Sequence, residues 1–137
     1  LKYITIFLPL IILFIVVPAS RLNMFQTEYP LFSGAGKSIL IFIIYELLYG
    51  LYYFSYEFFY RGYILFGLKE FAGVFNSLLV QVVISTLMHI GKPSLEVLAC
   101  IPGGFLFGYI ALKTRSFIYV FIIHWFIGIM LDTLVVF

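Results

Sequence analysis

Apolar positions along the chain fall into long runs over residues 3–17, 38–54, 51–66, 74–88, 95–112 and 117–137, separated by short polar stretches. A helix that crosses a bilayer takes roughly 20 mostly apolar residues, so the pattern predicts about five spans. Segment 46–66 is too long and too polar to divide on sequence. Segment 20–37, "SRLNMFQTEYPLFSGAGK", is the clearest predicted loop, with Pro30 and the Gly34-Ala35-Gly36 turn signal. Further breaks are predicted at 67–73 ("GLKEFAG"), 91–94 ("GKPS") and 113–116 ("KTRS"). Connections this short predict antiparallel neighbours, and hence an all-α polytopic membrane helix bundle forming a single transmembrane domain over residues 1–137. Within run 95–112, Pro102-Gly103-Gly104 predicts a kink or a close packing seam.

Composition strengthens this picture. The 137 residues are 64% hydrophobic and 10% charged, with a mean hydropathy of +1.17, against about 25% charged in soluble domains. Lys2, Lys69, Lys113 and Arg115 lie on one predicted side and Arg21, Lys37 and Lys92 on the other, a balance that leaves orientation open. The net charge of +2 is small and its basic residues sit at span ends, so nothing points to nucleic acid. One cysteine, Cys100, leaves no internal disulfide and reads as apolar packing. Run 3–17 followed by Val17-Pro18-Ala19 has the outline of a signal peptide. Leu1 is not an initiator methionine, however, so the run reads as a span and residues are expected to precede it.

Ionisable residues in such a chain carry the information about function. A charge at mid-bilayer costs at least a few kcal/mol, so those present usually face protein or water and mark a site. The candidates are Glu46, Glu57, Arg61, His89, Glu96, His124 and Asp132. Glu57 and Arg61, four residues apart, share a helix face within ion-pair reach. Glu46 lies eleven residues before Glu57 and shares that face if the helix is continuous. Tyr49, Tyr53 and Tyr60 follow nearby, suited equally to a polar chamber and to an interfacial aromatic belt. Gln81, Ser85 and His89 form a polar stripe at four-residue steps. Glu57, His89 and His124 come from three helices and suit activation of water: a carboxylate takes the proton, one imidazole positions the water, the other stabilises the oxyanion. The same residue types are ordinary zinc ligands, although no HExxH or other close metal spacing occurs. A lone membrane histidine can also simply bond a neighbouring helix. Glu96 reads either as a helix-start carboxylate balancing the dipole or as a partner of His89.

The motifs Tyr56-Glu57-Phe58-Phe59-Tyr60-Arg61-Gly62, Ser85-Thr86-Leu87-Met88-His89 and His124-Trp125-Phe126-Ile127-Gly128 resemble those of the CAAX protease and bacteriocin-processing (Abi) family of intramembrane glutamic endopeptidases. That family carries Glu-Glu-x-x-x-Arg, Phe-x-x-x-His and His-x-x-x-Asn on successive helices, and the resemblance runs over 39–137. It implies a helical membrane fold with a polar intramembrane cavity, no metal or other cofactor, a peptide or protein substrate, and residence in the bacterial cytoplasmic membrane. It further implies peptide-bond hydrolysis by a glutamate-activated water. By position, Arg61 would orient the carboxylate of motif one, His89 would bind the water and His124 would stabilise the oxyanion. Tyr56 stands where the family has its first glutamate, Ser85 where it has phenylalanine and Gly128 where it has asparagine. Asp132, two turns after His124, is expected to supply the polar group missing at Gly128. The replacement at Tyr56 supports an alternative, a catalytically silent relative acting as an immunity or partner-binding membrane protein; the oligomeric state is left open.

Overall fold

The computed structural model describes residues 2–137, with side chains from residue 5 onward. Helices are the only regular elements among the described residues: α1 (Lys2–Ile11), α2 (Val17–Ser20), α3 (Asn23–Glu28), α4 (Ile39–Glu57), α5 (Leu65–Leu87), α6 (Ser94–Thr114) and α7 (Ile118–Val136). Two π-helical segments, Ile12–Val16 and Phe58–Ile64, join α1 to α2 and α4 to α5, and a short 3-10 turn covers Ala35–Lys37. Helices suit a bilayer, because each satisfies its backbone N–H and C=O groups within its own segment.

Three helices are long and apolar enough to cross a membrane: Ile39–Leu87, Ser94–Thr114 and Ile118–Val136. A shorter apolar helix covers Thr5–Ser20. α4, the π segment and α5 follow one another as a helical stretch of 49 residues broken at Gly73, against the roughly 20 residues that one crossing takes. The predicted break over 67–73 shrinks to Gly73, whose φ of 79° and ψ of 165° interrupt α5. Leu68, Lys69, Glu70, Phe71 and Ala72 are competent helix formers, so their polarity does not end the helix; Gly73 adopts a conformation that costs a side-chain-bearing residue dearly. The predicted loop over 20–37 also contains a helix, α3. The breaks near 91–94 and 113–116 fall where expected, the second on Arg115 in the left-handed conformation (φ 51°).

The chain forms two compact units, Leu1–Phe54 with Ile122–Phe137, and Ser55–Phe121. In the first, Val16, Phe25, Tyr29 and Leu131 make a small core, against which Ile11, Ile12, Ile127 and Met130 pack. Helix α4 and the end of α7 meet in antiparallel register there: Trp125 Nε1 donates to the Glu46 carbonyl (3.0 Å), and Phe42 meets Phe137 edge to face at 5.5 Å. The outward-facing Leu40, Leu47, Leu48 and Leu51 are each more than half exposed, which suits contact with lipid chains.

In the second unit, α5 and α6 form an antiparallel hairpin. Gln81 Nε2 donates to the Gly104 carbonyl at 3.0 Å, and Gly104 sits against Val82. Pro102-Gly103-Gly104 thus marks a packing seam, as its small residues suggest. One turn on, a Cβ at Gly108 would collide with Leu78 Cδ2 and lie 2.9 Å from Gln81 Nε2. Gly108→Ala should therefore displace Gln81 from its bond and cost about 1–3 kcal/mol. Titrating the detergent-solubilised protein with denaturing detergent should show an earlier midpoint; an unchanged midpoint would contradict the tight seam.

Candidate functional site

Within the unit Ser55–Phe121, the opening motif lies across the junction of α4 with the π-helical segment. Glu57 ends α4, and Arg61 falls inside Phe58–Ile64. The extra residue per turn in a π segment often accompanies functional positions. Arg61 Nη1 lies 3.2 Å from Glu57 Oε1, with side chains 3% and 0% exposed. Three rings surround the guanidinium, with its Cζ 5.7 Å from the centroids of Tyr56 and Phe107 and 5.9 Å from that of Tyr60. The expected ion pair is present, fully enclosed and faced with aromatic π-clouds that favour a cation.

The polar stripe on α5 is also present, and one residue longer than predicted: Ser77, Gln81 and Ser85 are all buried. His89 continues it one turn beyond Ser85. The Ser85 carbonyl accepts from Tyr56 Oη at 3.1 Å and lies 2.8 Å from His89 Nδ1. A carbonyl has no proton to give, so Nδ1 carries the hydrogen and Nε2 is the basic nitrogen of the neutral ring. Tyr56 Oη also lies 3.4 Å from Nδ1, and its ring meets the imidazole edge to face. On its other side, His89 Nε2 is 3.9 Å from Glu96 Oε1, with side chains 15% and 22% exposed. Glu96 comes from the first turn of α6 and reaches back across the connecting turn to His89.

Two of the positions that depart from the family motifs, Tyr56 and Ser85, meet here, the Tyr56 hydroxyl donating to the Ser85 backbone carbonyl.

The third motif belongs to the other unit. His124 stacks on Tyr53 with ring centroids 4.7 Å apart. Tyr53 also fills the place beside Gly128, where a Cβ would sit 2.5 Å from its hydroxyl oxygen. The polar group next to Gly128 is therefore Tyr53. Asp132, expected in that role, is buried and accepts from Tyr45 Oη at 3.0 Å, with the Glu46 carboxyl as a neighbour. Glu46, read as sharing a face with Glu57, belongs to this second cluster. Tyr45, Tyr49 and Tyr53 stack in succession at 5.4 and 4.7 Å, and Tyr53 and Tyr60 are buried. Tyr45 and Tyr49 are half-buried. The sequence offered no sign of Tyr53 as a partner of Gly128, because that contact joins residues far apart in the chain.

Among the described residues, no three His, Cys, Asp or Glu side chains gather closely enough to hold a metal ion. What the Ser55–Phe121 unit does provide is an imidazole of defined tautomer, part-exposed, beside a part-exposed carboxylate. That pair can bind and polarise a water molecule.

Comparison with curated proteins and with solved structures finds no match. A family model does match: type II CAAX prenyl endopeptidase Rce1-like, over residues 37–130. That range exceeds half of the 137 residues and contains all three motifs, from Tyr56 through Gly128. The chain is an integral membrane protein of the type II CAAX prenyl endopeptidase Rce1-like family.

Proposed function

We propose that the protein is an intramembrane endopeptidase that hydrolyses a peptide bond with a water activated by a carboxylate. His89 carries the reading: its ring is held by the Ser85 carbonyl with Nε2 left as the basic nitrogen, next to an acidic side chain. In this scheme His89 positions the water, the Glu57–Arg61 pair is the motif-one charge centre, and His124 stabilises the oxyanion, as the family resemblance suggests. Two carboxylates of the same unit are candidates for the proton acceptor, Glu57 and Glu96. The substrate is a peptide or protein reached from the membrane, and the cytoplasmic membrane of a bacterium is the proposed location.

The test is cleavage of a peptide by the protein reconstituted in lipid vesicles, using prenylated and leader-type peptides with mass-spectrometric identification of products. Defined products from the natural protein support the proposal. One observation favours a second reading, a silent relative that binds partners: the Tyr56 hydroxyl is bonded where the family has its first carboxylate. Under that reading the natural protein yields no product and Tyr56→Glu creates activity. Under the first, the natural protein cleaves without help.

A further inference from the structure

We infer that Glu96, rather than Glu57, is the general base of this protein, taking over from α6 the part that Tyr56 has vacated on α4. The inference rests on the peptidase reading above and adds to it the residue that accepts the proton.

The two carboxylates differ in what they can touch. Glu57 is completely enclosed, with Arg61 Nη1 on Oε1 and both side chains cut off from solvent. A base must contact the attacking water and later pass the proton on, and an enclosed carboxylate whose charge is matched by a neighbouring guanidinium is poorly suited to either step. Glu96 is 22% exposed and His89 15%, and the two meet beside the polar turn between α5 and α6. The pair is thus open to the outside of the fold, as Glu57 is not.

The geometry is also that of a shared water. With Nδ1–H committed to the Ser85 carbonyl, the neutral ring presents its lone pair at Nε2. Its 3.9 Å separation from Glu96 Oε1 is too long for a direct hydrogen bond and short enough for one water to donate to both. In the first step the water oxygen bonds to the scissile carbonyl carbon, the carbonyl π pair moves onto its oxygen, and the proton shed by the water passes to Glu96. In the second, the oxyanion re-forms the C=O, the C–N bond breaks, and the proton on Glu96 passes to the leaving nitrogen. Glu96 returns to its carboxylate, and the products are an acid and an amine.

The structural alternative is that Glu96, in the first turn of α6, serves only the helix dipole. Lys92 and Cys100, each one turn away along the chain, and His89 are its nearby titratable neighbours. Glu96→Gln keeps size and hydrogen bonding while losing basicity. In vesicle-reconstituted full chain cleaving a peptide, E96Q should lower kcat at least about 100-fold, with KM within about threefold of the natural value if the base acts only in the transition state. Glu96→Asp, which preserves the charge, should fall between E96Q and the natural protein.

An unfolding midpoint equal to that of the natural protein separates loss of chemistry from loss of fold. Cleavage by the natural protein that persists undiminished in E96Q overturns the assignment and leaves the peptidase reading standing. A drop in E96Q that Glu96→Asp does not lessen, or that comes with a lowered unfolding midpoint, also overturns it in favour of the dipole role. Absence of any cleavage by the natural protein overturns both.

Discussion

Replacing Arg61 by alanine should destabilise the protein by about 3–5 kcal/mol, because it leaves the Glu57 carboxylate buried without its partner charge. The two side chains are enclosed at 3% and 0% exposure, and three aromatic rings surround the guanidinium. A carboxylate so enclosed bears the full cost of burial once its partner is gone. The double variant Glu57→Leu, Arg61→Met removes both charges and fills most of their volume, so it should recover the larger part of that loss. Unfolding midpoints of the three proteins in detergent provide the comparison. A single-variant cost below about 1 kcal/mol would place this pair with solvated surface ion pairs, contrary to its burial.

His89→Ala should reduce cleavage at least about 100-fold while leaving the fold intact. The imidazole is part-exposed, at the end of α5, and its bonds run to the Ser85 carbonyl and toward Tyr56 and Glu96. Loss of the ring removes the nitrogen that holds the water. It leaves the Ser85 carbonyl still served by the Tyr56 hydroxyl. Stability should therefore change far less than activity, the opposite of the Arg61 result. Together the two variants separate the enclosed charge pair from the water-facing corner.

Much of this arrangement was legible in the chain. Glu57 and Arg61 were readable as a pair from their spacing alone, since a helix brings i and i+4 together. The stripe of Gln81, Ser85 and His89 followed from the same periodicity. What escaped is what periodicity does not encode. The π segment over Phe58–Ile64 changes the backbone bonding without changing the apolar pattern. The helix continues through Lys69 and Glu70, since polarity at a membrane surface is no barrier to helix formation. Tyr53 beside Gly128, and Asp132 with Tyr45, are contacts between residues remote in sequence. The meeting of positions 56 and 85, through the Tyr56 hydroxyl on the Ser85 carbonyl, joins residues 29 apart in the chain.

Positions 56 and 85 bear on function through one atom: the Ser85 backbone carbonyl accepts from the Tyr56 hydroxyl and lies beside His89 Nδ1. A carboxylate from another helix, Glu96, stands on the far side of the ring.

The most direct test of the account is cleavage in water enriched in oxygen-18, with the natural protein and the His89→Ala variant in identical vesicles. The account predicts that the natural protein releases a fragment whose new carboxyl group carries the heavy oxygen, and that the variant releases little or none. Absence of labelled product from the natural protein, with labelled product appearing only after Tyr56→Glu, would contradict it and identify the chain as a silent member of its family.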